Sequence, residues 1–160
     1  MRKVLGPVLA LLMATALASP AQAGGAGAVS ITQTFHNATQ IIATPFPCTA
    51  EFGIVTFTYN GAFHGTVLTS GIGAGTGWFT FTGTGSFTFA PLFGGTVTYA
   101  GHVLAWDGEN FNLKNYVATS TLEGRATGSD GSTFNFHDVL HITVDATGAV
   151  AISFDKPTCG

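Results

Sequence analysis

The chain has 160 residues, with eight Asp and Glu against five Lys and Arg, and only 8 % charged residues beside 14 Phe and 22 Gly. Nucleic acids and anionic membranes are gripped by clustered Lys and Arg, so this balance argues against both as partners. Solubility has to rest on Thr, Ser, Asn and Gly rather than on charge.

Residues 1–23 read as a secretory signal peptide. Arg2 and Lys3 give a basic start, residues 8–17 an apolar stretch, and Ala21-Gln22-Ala23 a small-x-small cleavage site. An apolar stretch of about ten residues is too short to span a bilayer. No Cys follows Ala23 to take a lipid, and no second segment of that kind follows. The expectation is cleavage near Ala23 and a secreted, extracellular domain over 24–160 with no membrane anchor. Lys114, Arg125 and Lys156 are then its only basic residues against eight acids, leaving about five net negative charges.

Extended segments follow one another from there, with no linker or charge run to divide them. The first covers 29–44 and stops at Pro45 and Pro47. Cys48 follows, and its one possible partner is Cys159. Two cysteines after a signal peptide read as one disulfide. Metal or redox roles would favour a Cys-x-x-Cys spacing, which is absent.

Residues 52–70 form the second segment, with Phe57, Tyr59, Gly61, Phe63 and Val67 on one parity. The glycine-rich stretch 71–77 looks like a phosphate loop, but no Lys ends it and no helix follows, so it reads as a hairpin turn. Residues 77–89 carry the clearest pattern. Phe79, Phe81, Gly83, Gly85, Phe87 and Phe89 alternate with Thr80, Thr82, Thr84, Ser86 and Thr88. Successive side chains of a strand point to opposite faces, so one face is aromatic and the other is covered in hydroxyls.

Strands at 96–106, 116–128, 134–144 and 149–154 complete the series. Asp107 to Asn115 reads as a polar loop, and Gly128 to Ser132 as a tight hairpin. No segment has a helical period with caps. The expected fold is all-β: a single antiparallel β-barrel of about eight strands, with a β-sandwich as the alternative. Long strands bent at inward glycines favour the barrel.

Parity then sorts the candidate chemistry. His64, His102, His137 and His141 share the hydroxyl face. His137 and His141 lie four residues apart, about 13 Å along a strand, too far to ligate one zinc. No metal site and no cofactor are expected. Asp107, Glu109, Asn110 and Asn112 hint at calcium but lack the EF-hand spacing and its closing Glu. Asp138 stands out: its parity is Phe134, Phe136, Leu140, Ile142 and Val144, so it is the one charge on a face that should turn inward. A buried carboxylate must be paired, hydrogen-bonded or protonated. Tyr59, Tyr99 and Asn37 lie on the apolar parities of their own segments and are the expected partners. Asp138 reads as a structural carboxylate, or as a general acid or base or the anchor of a ligand. No second inward carboxylate is visible, so a glycosidase pair has no candidate.

Several phrases resemble a group of small secreted proteins of high-GC bacteria, whose activity the resemblance leaves open: Thr34-Phe35-His36-Asn37, Pro47-Cys48, Gly61-Ala62-Phe63-His64, Gly128-Ser129-Asp130-Gly131-Ser132 with Phe136-His137, and Phe154-Asp155-Lys156 with Cys159-Gly160. The architecture is similar to the allene oxide cyclase and dirigent type of barrel, which implies an interior that holds apolar molecules. The expected function is an exported domain binding a small, largely apolar ligand through Asp138, Tyr59, Tyr99 and Asn37. An isomerase or cyclase on the same barrel is the alternative, and a structural or adhesive protein without a ligand is the third reading.

Overall fold

A computed structural model describes residues 21–25, 27–49 and 51–160 of the chain. Residues 1–20, which hold the body of the expected signal peptide, lie outside the described residues. Its last three, Ala21 to Ala23, belong to β1.

Among the described residues nine strands form one antiparallel sheet: β1 (Ala21–Gly25), β2 (Ala28–Pro45), β3 (Phe52–Leu68), β4 (Gly77–Pro91), β5 (Tyr99–Phe111), β6 (Tyr116–Gly128), β7 (Thr133–Val144), β8 (Val150–Asp155) and β9 (Thr158–Cys159). Strands β1 to β8 lie side by side in chain order, and β9 pairs with β7 beyond the end of β8. The strands β2 to β7 run 12 to 18 residues, well above the usual length of about 5–6. Among the described residues no ladder joins β1 or β2 to β8 or β9, so the sheet is not closed into a barrel. It does curl. The loop after β2 reaches the far side of the sheet, where Cys48 is bonded to Cys159 with Cα atoms 5.8 Å apart.

The register of β3 to β7 lines the expected apolar positions up in rows on one face. One row runs Phe57, Phe87, Gly101, Ala126, Phe134; the next runs Tyr59, Gly85, Val103, Gly124, Phe136. Glycines alternate with large rings because the rings lie across the neighbouring strand. The Phe81 ring of β4 comes within 3.0 Å of where a Cβ on Gly61 of β3 would sit, and the Phe136 ring of β7 within 2.6 Å of one on Gly124 of β6.

The best-buried part of this face is at the end bearing the β2–β3, β4–β5 and β6–β7 turns. Phe46 sits at its centre, 3 % exposed, with its ring 4.4 Å from Phe89, 5.0 Å from Tyr99 and 5.7 Å from Phe87. It comes from the loop after β2, held by its backbone N–H donating to the Glu51 carbonyl at 2.7 Å. Val55, Val103, Ala126 and Phe136 complete the cluster.

Two readings of the sequence are corrected. A bulge between Phe35 and Ala38 puts Asn37 at φ 49° and shifts the parity of β2. Beyond it Gln40 and Ile42 share the rows of Phe57 and Val55, while Ile41 is 66 % exposed. Strand β5 also continues five residues past Trp106. Asp107 and Glu109 are strand residues in inward rows, and the turn is only Asn112 to Asn115, closed by the Asn112 side chain accepting from the N–H groups of Lys114 and Asn115.

Candidate functional site

The inner face changes character along the strands. Beyond the aromatic cluster it becomes a zone of partly exposed rings and carboxyl groups. Phe57, Tyr59, Phe79, Phe81, Leu122, Leu140 and Ile142 are all half-buried, and among the described residues no second layer of structure covers them.

Asp138 lies in the row of Gly61, Gly83, Ala105 and Leu122. Asp155 on β8 pairs with Leu140, one row further on, and its side chain meets that of Asp138. The Asp138 carboxyl is pushed up to about 6, first by burial, then by the hydrogen bond and the negative charge of Asp155; the Val139 N–H and His137 pull weakly the other way. Burial and the neighbouring Asp155 thus favour the protonated form of Asp138 in mildly acidic solution. The Oδ1 atom of Asp138 is out of contact with solvent and has no hydrogen-bond partner.

A second acidic group lies on β5 and β6. The buried Ser120 hydroxyl donates to Asp107 Oδ1. The Tyr116 hydroxyl donates to Glu109, and is itself pushed up to about 12 by burial and then by the Glu109 charge. Glu109 is raised by burial and by Asp107 beside it. Asp107 stands in the row of Leu140 and Asp155, and Glu109 in that of Ile142. Four carboxyl groups therefore share the inner face, where the sequence shows only Asp138. Asp107 and Glu109 follow from extending the β5 parity through Trp106. Asp155 is legible once β8 is taken in register with β7.

The expected partners of Asp138 are placed elsewhere. Tyr99 is 9 % exposed in the Phe46 cluster. It lies six residues along β5 from Ala105, the β5 residue in the row of Asp138, or about 20 Å. Tyr59 stands one row and four strands away, 6.0 Å from both Phe35 and Phe81, with its hydroxyl raised by burial. Asn37 is exposed at the bulge, where its N–H donates to Asn60 Oδ1. Asp138 meets an acid instead, and the tyrosine that meets carboxylates is Tyr116.

The four histidines of the hydroxyl face lie on the outer surface. His64 shares a hydrogen bond with Thr32, and His141 with Thr119 and Thr143. Among the described residues no three of His, Cys, Asp and Glu are grouped to hold a metal ion. Two open grooves, of about 670 and 420 Å³, are lined mainly by outer-face residues, and neither includes Asp138. The chain matches no family profile, no curated protein and no solved structure.

Proposed function

We propose that the inner face binds a small, largely apolar molecule carrying one polar group, in a protein exported from the cell. One observation carries the reading: the half-exposed aromatic face is interrupted by carboxyl groups of which one, on Asp138, keeps an oxygen without a partner. Among the described residues a single sheet leaves this apolar face with no packing layer, and stable domains cover such faces. A ligand stacked on Phe57, Phe81 and Leu122 would supply that cover, and its polar group would meet the Asp138–Asp155 pair. On this reading the sheet curls towards a barrel of the allene oxide cyclase and dirigent kind around its ligand. The Cys48–Cys159 bond, consistent with an extracellular protein, holds the curl at one end.

A second reading, an isomerase or cyclase, draws on the raised Asp138 carboxyl beside Asp155. A protonated carboxyl beside an ionised one offers a donor and an acceptor within one site, the arrangement general acid–base chemistry uses.

Nile red, a neutral apolar dye that brightens on leaving water, tests the binding reading. Saturable one-to-one binding is expected. Ala105→Trp, which fills the row of Asp138 two strands away across Leu122, should weaken it at least tenfold while thermal unfolding stays cooperative. No saturable binding, or equal binding by the variant, refutes the proposal.

A further inference from the structure

The outer face is built differently from the inner one. Both tryptophans of the chain, Trp78 on β4 and Trp106 on β5, lie on it, 39 % and 43 % exposed. Trp106 pairs with Thr82, four residues along β4 from Trp78, so the two positions stand about 13 Å apart along the strands and one strand apart across them. The indole of Trp106 folds back over Gly108, with Cη2 only 2.7 Å from where a Cβ there would sit. A side chain at 108 would push it off the sheet. Around the indoles the face is threonine: Thr80, Thr82 and Thr84 on β4, and Thr119 and Thr121 on β6.

Next to Trp106 on this face is Leu104, which lines the groove of about 670 Å³. The groove's polar lining is His102, Glu123, Arg125, Asn135 and His137, set by the register into adjoining rows. Glu123 and Arg125 are the only formal charges on the outer face of β4 to β7, and they cancel. The face of β4 to β7 is thus neutral, with Lys156 standing over Phe154 beyond its β7 edge; it is rich in donors and acceptors and marked by two exposed indoles. Neutrality disfavours anionic polymers and lipid headgroups, which need a basic surface. Exposed tryptophans on a soluble protein mark a contact surface.

We infer that this outer face binds a neutral, β-linked polysaccharide chain. A β-linked pyranose with equatorial hydroxyls presents C–H groups on its flat faces and hydroxyls around its rim. The C–H faces suit the electron-rich face of an indole, and the rim suits the Glu, Arg, Asn and His side chains of the groove. Two indoles and a groove in succession along the strands call for an extended chain rather than a monosaccharide. The inference uses none of the residues assigned to the inner face.

Tryptophan fluorescence reads this face alone, because both indoles are on it. The exported protein is titrated with cellohexaose and with chitohexaose, which separate a glucan from an amino-sugar chain, and with neutral phosphatidylcholine vesicles. A saturable change in emission with at least one hexasaccharide, and none with vesicles, is expected. Affinity measured by calorimetry should fall at least tenfold in Trp106→Ala and several-fold in Gly108→Val, and recover in part in Trp106→Phe. Both positions, 106 and 108, lie on the outer face, and unchanged thermal unfolding shows that the fold is kept. The inference is overturned by no response to either sugar at millimolar concentration, by equal binding in Trp106→Ala, or by a response to vesicles alone.

Discussion

Asp138 and Asp155 meet carboxyl to carboxyl across the junction of β7 and β8, the first half-buried and the second exposed on the last full strand. The protonated form that burial and this contact favour makes stability depend on pH. Asp138 is raised to about 6 in the fold, against about 3.9 for a free Asp. Its contribution is therefore full below about pH 4 and lost as the pH rises through 6. Glu109, also raised, acts in the same direction. Chemical denaturation at a series of pH values should show stability rising from pH 7 to about pH 4.5. Asp138→Asn should flatten most of that slope, Glu109 retaining a part.

Below pH 4 the trend should reverse. Asp130 and Asp145 are held below the usual carboxylate range by the hydroxyl and N–H groups of Ser132 and Thr147, and Asp145 also by the Ala149 N–H. A lowered carboxylate stabilises above its unfolded pKa and loses that as the pH falls through its folded one. Asp130→Asn and Asp145→Asn together should blunt the acid limb and leave the limb between pH 4 and 7 unchanged.

Phe46 should be worth more than its place in a loop suggests. Its ring touches those of Phe87, Phe89, Tyr99 and Phe134, so truncation empties the centre of the core. Phe46→Ala should cost about 3–5 kcal/mol in denaturant unfolding. Phe93, 78 % exposed in the next turn of the same end, is the control: Phe93→Ala should cost no more than about 0.5 kcal/mol.

The Cys48–Cys159 bond spans 111 residues. Constraining a loop of that length in the unfolded chain is worth about 4–5 kcal/mol in the chain-entropy model. The Cys48→Ser/Cys159→Ser double variant should lose about that much, and reduction of the wild type should match it.

Gly85 is fixed by backbone, not by a movable side chain. A Cβ there would run into the Thr58 carbonyl and stand 2.7 Å from the Tyr59 Cα. Gly85→Ala should cost about 1–3 kcal/mol, as overpacking does. At Gly94, where the space is open but φ is 71°, Ala should cost less, through backbone strain alone.

The strands and their facing were legible because alternation is a local property: the Phe and Thr of β4 point where period two sends them. The disulfide was legible from composition. Local alternation does not foresee a bulge, and this one takes Asn37 off the inner face and reverses the facing of the residues beyond it. It also gave no reason for Phe46, flanked by two prolines, to return as the centre of the core. Asp107 and Glu109 were hidden by their polarity, which looks like a loop until the neighbouring strand is seen to pair along its whole length. Whether the edges of the sheet meet is a matter of curvature summed over many residues, which no single segment encodes.

Native mass spectrometry of the protein purified from its own host, without denaturation, tests the inner-face reading most directly. The wild type should carry a small molecule at near one-to-one stoichiometry, and Ala105→Trp, folded alike, should not. A wild type that arrives without any bound molecule, or a variant that carries the same one in the same amount, would contradict it.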